Sequence, residues 1–146
     1  KGENPVGLNI PVSRVADMLL NPGQTIDYNG GKITYPDIKL IYWAGGNPFH
    51  HHQDLNRLVA AWQRPETIVV HEPWWTAAAR HADIVLPATT ALERNDIGRA
   101  DLDCHIFAMH KAVEPRGEAR PDFEIFAGLA GRLGFAEQFT EGMIAR

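Results

Sequence analysis

The chain has one cysteine, Cys104, in 146 residues. That excludes an internal disulfide framework and any multi-cysteine zinc or iron–sulfur site within it. No apolar run approaches the roughly 20 residues that a helix needs to span a bilayer. Positive charge is also sparse, with 14 Lys and Arg against 18 Asp and Glu for a formal net charge of −4. The basic residues are scattered, so neither a nucleic-acid partner nor a membrane span is expected. No GxGxxG run is present, which disfavours a nicotinamide cofactor, and no HExxH pair is present for zinc. The opening Lys1-Gly2-Glu3-Asn4-Pro5 has neither an initiator Met nor a charged-then-apolar leader, and the chain is expected to be a piece of a longer protein.

What remains is ordinary globular composition, 45% hydrophobic and 22% charged, enough for one domain with a core. Val12, Val15, Met18 and Leu19 recur at helical spacing before Asn21-Pro22-Gly23, which predicts a short helix over 12–20. Residues 25–35 read as a hairpin turning at Asn29-Gly30-Gly31. The clearest pattern follows. Residues 38–43 form a strand-like run, and Leu55, Leu58, Val59 and Trp62 line one helical face. Residues 67–70 are apolar throughout, as in a strand covered on both faces. Thr76 caps a short helix, and residues 83–86 read as a third strand. This β-α-β-α-β alternation predicts an α/β fold, three-layer α/β/α, with a mainly parallel sheet. Downstream, 106–113 reads as a strand, and a helix runs from Pro121 at its first position to a Gly134 cap. The expected organisation is a single domain over 1–146. It divides into a lead-in helix and hairpin (1–37), a βαβαβ core (38–96), and a connecting strand with a C-terminal helix (97–146).

Ligands of an open parallel sheet gather outside the carboxyl ends of its strands. The unusual residues cluster in three such segments, 45–51, 71–76 and 87–96. Gly45-Gly46-Asn47-Pro48 suits close approach of a phosphate or sugar to the backbone, or simply a tight turn. Three adjacent histidines, His50 to His52, point in different directions and make a poor tetrahedral set, so no metal site is expected. Glu72, after the second strand, suits ribose hydroxyls or a guanine edge, or is a solvated acid. Trp74 and Trp75 could stack on a base, although packing explains them equally. Arg94 could grip phosphate or sit in a salt-bridged loop, and Asp122 suits the first turn of a helix without any ligand. Cys104 lacks a partner that would make it a nucleophile, and no catalytic residue is expected in this chain.

The run Tyr35-Pro36-Asp37-Ile38-Lys39-Leu40-Ile41-Tyr42-Trp43-Ala44-Gly45-Gly46-Asn47-Pro48-Phe49-His50-His51-His52-Gln53-Asp54 resembles the third domain of the molybdopterin oxidoreductases of the dimethyl-sulfoxide reductase type. Residues 68–76, 79–90, 92–96 and 117–122 continue in the same register. The resemblance implies a Rossmann-like domain that holds one of two guanine dinucleotides of a bis(molybdopterin guanine dinucleotide) molybdenum cofactor. It implies that Asn47 and His51 contact the cofactor, that His71 and Glu72 meet its guanosine end, that Arg94 approaches from the third loop, and that Asp122 adds a further contact. The implied chemistry is oxygen-atom transfer to reduce S-oxides or N-oxides. Its partners are that small-molecule substrate and the remaining domains of the parent chain, without which the piece is expected to be inactive. Residues 97–105 depart from the family pattern. Residues 50–58 lean toward the cytoplasmic biotin-sulfoxide type, with a periplasmic enzyme as the alternative. The competing reading is a non-catalytic nucleotide- or partner-binding α/β module.

Overall fold

The computed structural model describes residues 7–100, 102 and 104–143; the opening Lys1 to Pro5 lies outside them. The described residues form two compact units, the first within 1–70 and 76–84, the second within 71–75 and 85–146.

In the first unit, the expected helix over 12–20 begins as a 3-10 turn, Val12–Arg14, and continues as α1, Val15–Leu20. The tighter start follows from an Arg14 N–H that bonds back to the Pro11 carbonyl at 2.8 Å. The hairpin is β1, Thr25–Tyr28, paired antiparallel with β2, Gly31–Thr34. Its two turn residues, Asn29 and Gly30, have φ of 49° and 76°, the left-handed pair that matches the twist of a two-residue loop. Strand β3, Leu40–Ala44, starts two residues later than expected. The Lys39 carbonyl instead accepts the N–H groups of Glu66 and Thr67 at 2.8 and 3.2 Å. A single turn, α2 at Pro48–His51, precedes α3, Leu55–Trp62, the helix marked by the apolar spacing. Leu58 and Trp62 are fully buried on its inner face.

Strand β4, Thr67–Glu72, is buried from Ile68 to His71, consistent with the unbroken apolar run. After α4, Ala77–Arg80, strand β5 covers Ile84–Pro87, one residue later than expected. Asp83 stays outside β5 because its backbone N–H bonds to the Ile68 carbonyl at 3.0 Å and its carboxylate accepts the Ile68 N–H at 2.8 Å. Strands β3, β4 and β5 form one parallel sheet in that order, the Rossmann-like α/β arrangement expected.

The second unit holds elements the sequence marks poorly. The expected strand over 106–113 is only β7, Ile106–Met109, paired antiparallel with an unanticipated β6, Asp96–Arg99. Strand β6 takes in the first three residues, 97–99, of the segment that departs from the family pattern; within the rest, Asp101 and Asp103 lie outside the described residues. Helix α5, Asp122–Leu133, has Pro121 as its N-cap rather than its first residue, and Gly134 closes it at φ 84°. A second unanticipated helix, α6 at Ala136–Thr140, follows and packs on α5 through Phe123 and Phe139, ring centroids 5.8 Å apart.

One polar knot ties the first unit. Asp17 on α1 accepts from Arg57 on α3 and from the hydroxyl of buried Tyr35, the latter at 2.9 Å. These bonds, Arg57's first, hold the Asp17 carboxyl below the ordinary aspartate range. The stabilisation is therefore complete above that range and is lost as pH falls through the lowered value. Asp17→Asn is expected to cost about 1–3 kcal/mol at neutral pH, and the gap to the parent protein should shrink as pH falls below the ordinary aspartate range. Denaturant titrations across pH check this, and a gap that stays constant into acid removes the assignment.

Candidate functional site

In the second unit, three of the residues singled out by sequence come together. His71 lies near the end of β4 with its side chain 1% exposed. Its Nδ1 bonds to the Asp122 carboxylate at 2.7 Å, and its ring packs against Phe126, centroids 4.8 Å apart. Asp122 is the first residue of α5, where a negative charge complements the helix dipole. Its second oxygen lies 3.9 Å from Nη1 of Arg94. Arg94 in turn donates from Nε to Asp96 at 2.7 Å and from Nη1 to the Thr89 carbonyl at 2.5 Å.

The backbone explains why these residues meet. The chain after Gly117 returns beside the end of β5: Arg120 donates to the Pro87 carbonyl at 3.0 Å and accepts from Thr89 at 3.1 Å, which makes a parallel bridge between Ala88 and Arg120. That bridge delivers the start of α5, and so Asp122, to its place. Glu93 fixes the loop from the other side. Its carboxylate accepts from the Thr90 N–H and hydroxyl at 2.8 and 2.9 Å and from the Arg116 N–H at 3.1 Å. Those bonds, led by the Thr90 N–H, draw the Glu93 carboxyl below its usual range. Glu72 ends β4, and its carbonyl accepts the Ala88 N–H at 3.5 Å.

Arg94 and Asp122 line a hollow of about 430 Å³. Carboxylates outnumber cations around it, with Glu93, Asp96, Glu114, Asp122 and Glu124 against Arg94 and Lys111. Glu93 is committed to its loop, while Asp96 and Glu114 are paired with Arg94 and Lys111. The hollow therefore suits a group that offers N–H donors, as a guanine edge does, with Arg94 available to an oxygen acceptor.

Asn47 and His51 belong to the first unit. The side-chain Oδ1 of Asn47 caps α2 by accepting the Phe49 N–H at 3.1 Å, which leaves the side-chain amide donors for another group. Before it, Gly45 and Gly46 both take left-handed φ, 84° and 68°, and a Cβ built at either position meets nothing within 4 Å. Trp43 steadies this loop by donating from Nε1 to the Gly46 carbonyl at 3.1 Å. His51 is exposed, with its ring 5.9 Å from that of His52. Burial, and then His51, lower the pKa of His52. Among the described residues no group of three or more His, Cys, Asp or Glu is arranged to hold a metal ion. Sequence reasoning missed Asp96 and Thr89; an acid two residues beyond a singled-out arginine was the available signal for Asp96.

The profile of the family Molybdopterin oxidoreductase matches residues 4–132. The chain is 58% identical over 138 residues to biotin sulfoxide reductase of Cereibacter sphaeroides, which covers 94% of this chain and 18% of that protein. It is 59% identical over 136 residues to the dimethyl sulfoxide/trimethylamine N-oxide reductase of the same organism, covering 92% of this chain and 16% of that protein. Trimethylamine-N-oxide reductase of Haemophilus influenzae is 56% identical over 134 residues, covering 90% of this chain and 16% of its own length. The chain thus spans less than a fifth of these relatives. Among solved structures, acetylene hydratase from Pelobacter acetylenicus matches with a TM-score of 0.62 at 25% identity, covering 72% of this chain and 14% of that one.

The left-handed glycine loop yields a direct test. Gly46→Ala places a Cβ in a conformation that costs roughly 1–2 kcal/mol for an L-residue, although the space around it is open. Gly131→Ala, inside α5 and equally open, should stabilise by about 0.5–1 kcal/mol. Opposite shifts in denaturant midpoint are expected; equal shifts would show that φ does not set the cost.

Proposed function

The chain belongs to the molybdopterin oxidoreductase family, and from that premise we propose that it is the part of a molybdenum S-oxide or N-oxide reductase that grips one guanine dinucleotide of a bis(molybdopterin guanine dinucleotide) cofactor. The observation that carries this reading is the joined His71, Asp122 and Arg94 beside a hollow lined by carboxylates. The residues fit the group. Asp122 offers acceptor oxygens to the N–H edge of guanine, and Arg94 offers forked donors to phosphate or carbonyl oxygen. Glu72 suits ribose hydroxyls. In the first unit, the bare backbone at Gly45-Gly46 and the amide donors of Asn47 suit anionic oxygens, with exposed His51 close by in sequence.

When bound, the molybdenum cofactor supplies oxygen-atom transfer from S-oxides or N-oxides. The role assigned to this chain is to bind and orient one end of the cofactor, with the chemistry proper left to the cofactor and the remaining domains. The substrate classes are those named for the relatives, which are S-oxides and N-oxides. We propose a cytoplasmic parent enzyme of the biotin-sulfoxide type, toward which residues 50–58 lean, with a periplasmic enzyme as the alternative; fractionation of cells producing the full-length protein decides between them. Among the described residues no helix is long and apolar enough to cross a membrane.

In the full-length protein, Asp122→Asn and Arg94→Gln are each expected to lower molybdenum and guanosine monophosphate content together, by about tenfold at limiting cofactor, as loss of one charged hydrogen bond implies. Metal analysis and nucleotide release after acid treatment measure both, and full content in both variants sinks the reading. The 146-residue piece alone should bind guanosine diphosphate only weakly, since the rest of the cofactor's contacts lie in other domains. Tight binding in a calorimetric titration contradicts that.

A further inference from the structure

We infer that Asp96 is a positioning residue, which sets the guanidinium of Arg94 for the dinucleotide. The inference rests on the reading above and adds a residue that neither the family resemblance nor the sequence pattern assigned. Arg94 is held on three sides. Asp96 Oδ2 takes Nε at 2.7 Å, the Thr89 carbonyl takes Nη1 at 2.5 Å, and Asp122 Oδ2 stands 3.9 Å from the same nitrogen. Among the described residues this leaves Nη2 as the amino group with its donors still to place.

Each anchor is itself fixed. The other oxygen of Asp96 accepts the Ile97 N–H at 2.8 Å, so the carboxylate is clamped to the start of β6. Thr89 is 3% exposed, and its own N–H is bonded to Arg120. Asp122 is held by His71. Asn at 96 keeps one neutral acceptor oxygen for the two donors that Asp96 serves, the Ile97 N–H and Arg94 Nε, so the hold on Arg94 weakens and the long side chain regains rotamers that it must lose again on binding. The Ile97 N–H first, and then Arg94, hold the Asp96 carboxyl below the ordinary aspartate range, so at neutral pH the anchor is charged.

The test uses the full-length holoenzyme with Asp96→Asn, Asp96→Glu, Arg94→Gln and the double variant D96N/R94Q. The readout is the half-time for loss of molybdenum and guanosine monophosphate at raised temperature, with the melting temperature of cofactor-free protein measured alongside. D96N should lose cofactor about tenfold faster, the scale of one charge-assisted bond, while its cofactor-free melting temperature stays within a degree or so of the parent's. D96E should recover part of the loss. In the R94Q background D96N should add nothing further, because its effect passes through Arg94. Additive effects overturn the inference, as does D96N at the parental rate. So does a D96N protein that melts several degrees lower without cofactor or fails to fold, since Asp96 is then serving the fold. If R94Q itself keeps cofactor at the parental rate, the reading of Arg94 fails as well, and the two failures are told apart.

Discussion

The second unit depends on where one carboxylate sits. Asp122 is reached by a buried imidazole on one oxygen and an arginine on the other, and it heads a twelve-residue helix whose dipole favours a negative charge there. No single one of these would fix a half-exposed side chain. Together they make it a stationary acceptor at the wall of a hollow, and a stationary acceptor binds without ordering itself first. His71 matters most to this arrangement from within: with 1% of its side chain exposed and Phe126 against its ring, it gives the carboxylate a rigid support that solvent cannot replace.

The parallel core was legible because burial on both faces leaves a mark. Residues 67–70 are apolar without interruption, and the helix between β3 and β4 repeats its apolar residues at the period of a helix face. The glycines at 30, 45 and 134 announced left-handed backbone and were found there. Of the ribbon, β7 was legible only as part of a longer strand and β6 was not, since its half-buried positions are Asp96 and Gly98 and its exposed ones Ile97 and Arg99, the reverse of an apolar-in pattern. In β7 there is no alternation, since Ile106, Phe107, Ala108 and Met109 are apolar on both faces and exposed on both. A strand that hides neither face carries no period-two signal. Helix α6 is five residues long, too short for a helical period to stand out.

Sequence singled out His71, Arg94 and Asp122 one by one, but not the contacts that join them. Asp122 lies 51 residues beyond His71, and spacing says nothing about a contact made across the fold. What joins them is the backbone bridge of Ala88 and Arg120, which leaves no trace in side-chain chemistry. Asn47 was legible for a different reason. It precedes a proline at the first position of a helix, so an amide there caps the turn whether or not a ligand ever arrives.

The same ambiguity resolves differently along Glu93-Arg94-Asn95-Asp96. From sequence, a run of charged and polar residues after a strand is either a gripping loop or a salt-bridged surface. The geometry divides the work. Glu93 closes the loop on Thr90 and Arg116, and Asn95 accepts the Lys111 N–H at 2.9 Å, so both hold backbone in place. Asp96 spends one oxygen on its own strand and the other on Arg94. Glu93 and Asn95 therefore hold backbone while Asp96 holds Arg94, and their common effect is to leave the arginine in a single pose. On the proposed reading a salt-bridged loop and a ligand grip are one arrangement: the bridges that make the loop look merely structural are what pre-set the arginine, so that little freedom remains for binding to remove.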